Sequence, residues 1–201
     1  MPIRVPDQLP AIDALRQENI YVMPEHRANS QDIRPMQVAI LNLMPDKITT
    51  EVQLVRLLSN SPLQVNVDLV RLEHQAKHTS EVHLDNFYRY FNDIKHKNYD
   101  GLIITGAPLG LKEYQEISYW PQLQEVLDWA EQCVTSTLFL CWAAHAAIFH
   151  YYGIRHQVRE HKLSGVYRHE KWQSKAPIIR GFDDYFYVPH SRFGEVPLET
   201  L

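Results

Sequence analysis

The sequence predicts an α/β fold, a doubly wound and mostly parallel sheet flanked by helices. Three observations predict it. Short apolar runs at Met36–Leu43, Leu102–Thr105 and Thr137–Leu140 are nearly continuous in hydrophobic residues, as strands covered on both faces must be. Each is followed by a segment of helical periodicity: Lys47–Asn60, Leu123–Cys133 and the stretch that opens at Trp142. Each ends in a turn or an abrupt change of pattern, at Met44–Lys47, Gly106–Gly110 and Cys141. Strands that alternate with helices in this way build βαβ units.

Residues 1–35 read as an N-terminal extension, and residues 36–201 as the α/β domain. The extension is rich in proline and charge. Its Pro2, Pro6, Pro10 and Pro24 argue against a central strand, and Ala11–Glu18 is a short helical candidate. Met36–Leu43 is the first strong strand, with Met44-Pro-Asp-Lys47 as its exit turn. In Lys47–Asn60, Val52, Leu54, Val55, Leu57 and Leu58 supply an apolar face, and Ser59–Pro62 breaks the helix. Leu63–Leu72 alternates and is rich in β-formers, a second strand. Glu73–Asn98 is polar and His-rich, with a helix expected around Leu84–Phe91. Asp100 and Gly101 lead into the strand Leu102–Thr105, and Gly106-Ala-Pro-Leu-Gly110 is the turn after it. Leu123–Cys133 is helical and Thr137–Cys141 is the next strand. Beyond residue 150, Leu163–Tyr167, Pro177–Ile179 and Tyr185–Val188 are short and β-like, suited to an antiparallel edge or a small subsheet.

A chain of 201 residues can bury one substantial domain. The net charge of −4 offers no electrostatic case for nucleic acid or an acidic membrane surface. Met1–Pro10 has no apolar core of a leader, and no apolar run approaches the roughly 20 residues of a membrane span. Two cysteines, Cys133 and Cys141, make no disulfide framework, so a soluble protein of the reducing cytoplasm is expected. Cys133 reads as an inert helix-end residue. Eleven histidines include His74 and His78 at helical spacing, but no HExxH or CxxC accompanies them, so no metal site and no bound cofactor are expected. There is no GxGxxG, Walker A or GxSxG motif. Gly106-x-x-x-Gly110 lacks the Lys-Ser/Thr of a phosphate loop, and its glycines suit a tight turn.

The chemistry concentrates at Thr137–Ala147, TLFLCWAAHAA. A strand that turns sharply into a helix presents the turn residue at the carboxyl end of the sheet, and the helix's free N–H groups point at the same spot. Such N–H groups favour a thiolate and can bind an oxyanion formed beside it. Cys141 is therefore the candidate nucleophile, with the Trp142 backbone N–H and the Gly106–Gly110 loop as oxyanion donors, Pro108 excepted. The alternative is a buried cysteine that ends a core strand. Convergence of three strand ends (Leu43–Lys47, Gly106–Gly110 and Cys141) on one rim favours the nucleophile. His145, four residues on, is either a base for the thiol or a packed helix histidine. Lys47, Lys162, Ser191 and Arg192 could hold a carboxylate or amine substrate, or be solvated surface residues.

Several longer stretches resemble a known family. LNLMPDK (Leu41–Lys47), RLLSNSPLQV (Arg56–Val65), DGLIITGAPLG (Asp100–Gly110), TSTLFLCWAA (Thr135–Ala144), KLSGVY (Lys162–Tyr167), RGFDD (Arg180–Asp184) and PHSR (Pro189–Arg192) are similar to the homoserine O-succinyltransferases of methionine biosynthesis, over essentially the whole chain. That family is related in fold to the flavodoxin-like class I glutamine amidotransferases. The resemblance implies ping-pong acyl transfer: Cys141 takes the acyl group of succinyl-CoA, the co-substrate, and L-homoserine's hydroxyl then accepts it. It also implies substrate-binding roles for Lys162 and Ser191, a lysine near the site at Lys47, donor choice at Gly110, and a homodimer. A small residue at 110 leaves room for the succinyl carboxylate, whereas a Glu there would fill the pocket and repel it. Two departures stand out. Family members are longer, and their catalytic His and Glu and a homoserine-gripping Arg lie beyond Leu201. The family residue expected at 145 is Gln, where this chain has His145. Rival readings are acetyl-CoA as donor or serine as acceptor, a binding-only or catalytically incomplete chain, and, by fold alone, glutamine amidotransferase chemistry.

Overall fold

A computed structural model describes residues 3–18, 20, 22–25, 34–73, 79–171 and 176–200. Strand β1 (Ile3–Val5), helix α1 (Ala11–Gln17) and strand β2 (Met23–Pro24) come first. They are followed by β3 (Met36–Leu41), α2 (Lys47–Ser59), β4 (Val65–Arg71), α3 (Glu81–Phe87), β5 (Tyr88–Tyr90) and the single turn α4 (Phe91–Ile94). Next are β6 (Tyr99–Ile104), α5 (Trp120–Cys133), β7 (Val134–Phe139) and α6 (Trp142–Tyr152). The last two strands, β8 (Gln157–Glu170) and β9 (Tyr185–Glu195), pair with each other in a separate antiparallel sheet.

The main sheet runs β2-β1-β4-β3-β6-β7, with β5 also on β4, and every pairing is parallel. From β3 the chain steps one way to β4 and the other way to β6. The topological switch point therefore lies between β3 and β6, the doubly wound arrangement expected. Along β3, Val38 and Ile40 face one apolar cluster while Ala39 and Leu41 face the other. Leu102 and Ile104 of β6 share the second cluster, and Ile103 the first. This two-sided burial explains why the strands read as continuous apolar runs. On one face α1 and α2 pack through Ile12, Leu15, Leu54 and Val55. On the other, α5 buries Leu123, Val126, Leu127 and Ala130, a helical stripe, and α6 buries Ala143, Ala146 and Ala147.

Four elements differ from expectation. The segment ahead of residue 36 joins the sheet through β1, paired with β4, and β2, the edge strand, where Pro24 is tolerated. The helix expected over 84–91 stops at Phe87, because Tyr88 pairs with Leu69 as a strand and buries its ring. Pro177–Ile179 forms a 3-10 turn rather than a strand. The antiparallel pair is longer than the short β-like pieces, with a register irregularity between Val158 and Leu163.

Candidate active site

Leu41, Ile104 and Phe139 lie side by side in register, so β3, β6 and β7 end in one row. The row continues into the exit turns: Thr105 N–H donates to Leu41 O at 3.0 Å, and Leu140 N–H to Ile104 O at 3.0 Å. The Thr105 hydroxyl accepts from Leu43 N–H at 2.7 Å and donates to Gly106 O at 3.2 Å, pinning two turns together. Three sequence-distant turns thus form one rim.

Cys141 occupies the elbow between β7 and α6, with φ 53° and ψ −117°, the single positive-φ non-glycine residue among those described. Such a conformation costs of order 1–3 kcal/mol and persists only where the surroundings enforce it. Gly106 makes room for it: a Cβ built on Gly106 would lie 3.1 Å from Cys141 Cβ and 3.3 Å from Leu140 O. The thiol is exposed, so the buried-cysteine alternative does not hold; Cys133 is half-buried at the end of α5. At the start of α6 the next N–H groups are spoken for, Ala143 to Leu140 O at 3.1 Å and Ala144 to Cys141 O at 3.0 Å. The N–H of Trp142, between them and the thiol, has no acceptor among the described residues.

A cleft of about 630 Å³ opens at the thiol. Its walls are Met44, Thr50, Gln53 and Leu54 from β3's exit and α2, the Thr105–Gly110 turn with Leu111, Trp142 and His145 from α6, and Lys162, Ser191, Arg192, Phe193 and Gly194 from the β8–β9 arm. The structure therefore brings Cys141, Trp142, Gly110, His145, Lys162, Ser191 and Arg192 together. Lys162 is exposed and makes no ion pair among the described residues. Arg192 is held by its Nε donating to His190 Nδ1 at 3.2 Å and its guanidinium donating to Gly194 O at 2.7 Å. Among the described residues no carboxylate lines the cleft. A Cβ placed on Gly110 would meet nothing within 4 Å.

Lys47 is not brought to this wall. It is buried, and its ammonium donates to Asn42 O at 2.6 Å and Met44 O at 3.4 Å, bracing the turn from behind. Burial pushes its pKa down to about 8, against the opposing pull of Glu51. Around it runs a buried polar network that the sequence reading missed. Asn42 Nδ2 donates to Tyr88 Oη at 2.9 Å, Tyr88 O–H donates to Glu51 Oε1 at 2.6 Å, and His83 Nε2 donates to the same oxygen at 3.0 Å. Nothing in the local pattern links Glu51 to His83; only the crossover between α2 and α3 does. His145 is held near pKa 4, first by burial and then by neighbouring His156 and Arg192. His156, one of many histidines in the sequence, is the other residue that reading missed; its ring stacks on His145 with centroids 5.2 Å apart. His74 and His78 lie outside the described residues. Among the described residues no group of three His, Cys, Asp or Glu could hold a metal ion, and no helix is long and apolar enough to cross a membrane.

An exposed cysteine on a strained strand-to-helix elbow, at the switch-point rim of a doubly wound sheet, has the form of the sharp strand–turn–helix on which α/β enzymes display a reactive side chain. The comparison with known families is specific: the homoserine O-succinyltransferase family model matches residues 2–201, and the chain belongs to that family. Homoserine O-succinyltransferases of Shewanella woodyi, Pseudoalteromonas translucida and Shewanella piezotolerans are 59%, 58% and 57% identical to it over 202 residues. Each alignment takes in the whole of this chain and 64% of the relative, so the chain spans just under two thirds of their length.

Proposed function

We propose that the chain transfers a succinyl group from succinyl-CoA to the hydroxyl of L-homoserine through a thioester on Cys141. The observation that carries this reading is the cleft at the exposed thiol, whose charged lining among the described residues is Lys162 and Arg192, with no carboxylate. Succinyl-CoA is anionic through its distal carboxylate and the phosphates of CoA, and homoserine, a zwitterion, carries one carboxylate. A cleft whose charged side chains are cationic attracts these groups.

In the first half-reaction Cys141 Sγ attacks the thioester carbonyl. The carbonyl oxygen becomes an oxyanion, stabilised by the Trp142 N–H. Collapse breaks the bond to the CoA sulfur, which leaves as CoA–SH with the proton given up by Cys141. In the second, the homoserine oxygen attacks the acyl-Cys141 carbonyl, the C–Sγ bond breaks, and the hydroxyl proton returns to the thiol. Ser191, Arg192 and Lys162 hold substrate carboxylates. Gly110 leaves the space that a four-carbon diacid needs and an acetyl group does not. Lys47 acts indirectly, by bracing the turn that carries Met44.

An efficient general base has a pKa near the working pH. His145, held near 4, is poorly matched to that task. The second half-reaction is therefore expected to be slow in these 201 residues. Intact-protein mass measurement after mixing with succinyl-CoA tests the reading. The expected result is an adduct of succinyl mass on Cys141 that the Cys141→Ser chain does not form and that homoserine clears slowly. Wild-type protein that acquires no adduct overturns the proposal.

A further inference from the structure

We infer that His156 is a positioning residue for the acyl-donor pocket: it fixes the Gly110 turn against the thiol-bearing helix and so sets the preference for a succinyl over an acetyl donor. The inference rests on the functional reading above. His156 Nε2 lies 3.3 Å from the carbonyl oxygen of Gly110. A carbonyl only accepts, so Nε2 carries a hydrogen, and in the neutral imidazole Nδ1 then has a lone pair. Tyr114 O–H fills that lone pair at 2.8 Å. Tyr114 cannot shift to follow a moving loop. It is 2% exposed, stacked on Phe149 of α6 at 4.5 Å and packed on Trp120 of α5 at 4.8 Å. The imidazole also stacks on His145, one turn into α6, at 14° between planes. Its third neighbour is β9, where a Cβ on Gly194 would lie 3.1 Å from His156 Cδ2 and 2.9 Å from His145 Nδ1. One side chain thus ties the Gly110 carbonyl to the aromatic core, to the helix behind Cys141, and to the strand that carries Ser191 and Arg192.

Gly110 has no side chain with which to shape the pocket; it acts through where its backbone stands. Holding that backbone is the task of His156. A succinyl chain extends a methylene and a carboxylate beyond an acetyl methyl, and Gly110 lines the same cleft as Cys141, so loosening the turn is expected to penalise the longer donor selectively.

Acylation rates of Cys141 with succinyl-CoA and acetyl-CoA, read by intact mass, test this in three chains: wild type, His156→Phe, which keeps the stack and loses both hydrogen bonds, and His156→Gln, which restores an N–H donor. Gly110→Glu serves as the reference for a donor switch. In His156→Phe the succinyl-to-acetyl rate ratio is expected to fall about tenfold, through the succinyl rate. Iodoacetamide alkylation of Cys141 should stay within about twofold, and His156→Gln should recover most of the ratio. An unchanged ratio, or an equal loss with both donors, overturns the inference. Amide exchange over residues 106–113 without any acyl-CoA reads the same claim independently, with exchange about tenfold faster in His156→Phe as the expected result and unchanged exchange as the overturning one. If wild type takes up no acyl group, the functional reading falls and the exchange measurement alone decides whether His156 holds the turn.

Discussion

Gly106 and Cys141 show what close backbone approach contributes at the scale of single residues. With 3.1 Å between a Gly106 Cβ and Cys141 Cβ, even alanine overpacks the elbow. Gly106→Ala should cost about 1–3 kcal/mol in urea unfolding and slow alkylation of Cys141, because the strain falls on the turn that displays the thiol. An unchanged unfolding midpoint would show that the elbow has slack. A second prediction concerns pH. The His145 pKa stands near 4 in the folded chain against an ordinary 6.5, so the unfolded chain takes up a proton that the folded one resists. This contribution to stability is complete above about pH 6.5 and is lost as pH falls toward 4. The melting temperature should drop over that interval in wild type and drop less steeply in His145→Gln; parallel curves would exclude His145 as the source. Cys141 was legible in the sequence because an apolar run stops at it and helix formers follow. Gly106 was legible only as a turn glycine, since its neighbour at Cys141 comes from a strand 35 residues on. Glu51, His83 and His156 were illegible for the same reason: their partners are set by packing, not by spacing.

Helix α2 illustrates the scale of the element. Asp46 caps it by accepting from Thr49 N–H at 3.1 Å and from Thr49 O–H at 2.7 Å. Its first turns supply Thr50, Gln53 and Leu54 to the cleft. Asp46→Ala should destabilise the fold by about 1 kcal/mol with an unchanged denaturant slope. A change in slope would mean that α2 frays independently of the core. This helix, like α5, was readable from its apolar stripe and its breaker. Strand β5 was not: three residues between two short helices carry too little period, and tertiary pairing with β4 overrides local helix preference. The β8–β9 arm was legible in part: Leu163–Tyr167 and Tyr185–Val188, expected in an antiparallel edge or small subsheet, lie in β8 and β9, and only the arm's length was missed. β8 is largely exposed on both faces, so the period-2 apolar signal that marks a half-buried strand is weak along it.

For the molecule as a whole, the strand–helix alternation was enough to predict the parallel sheet and the convergence of three turns on one rim. The edges of the sheet were less legible, because an edge is defined by what does not pair. β7 pairs only with β6 among the described strands, and Leu138 on it is 48% exposed. Such an edge favours self-association. Sedimentation of the 201-residue chain should show concentration-dependent mass that Leu138→Lys reduces; identical profiles would place any association elsewhere. The order in which the cleft is assembled has a temporal consequence. The described strands of the parallel sheet, the elbow and α6 have all been made once the chain has reached Tyr152, whereas the strand bearing Ser191 and Arg192 follows later. A ribosome adding about 5–20 residues per second takes seconds to make the roughly fifty residues from Cys141 to Ser191. During that interval a newborn chain displays its thiol before the paired arm that brings Ser191 and Arg192 has formed beside it. Its vulnerability to oxidants and stray electrophiles is then greatest before that arm has formed.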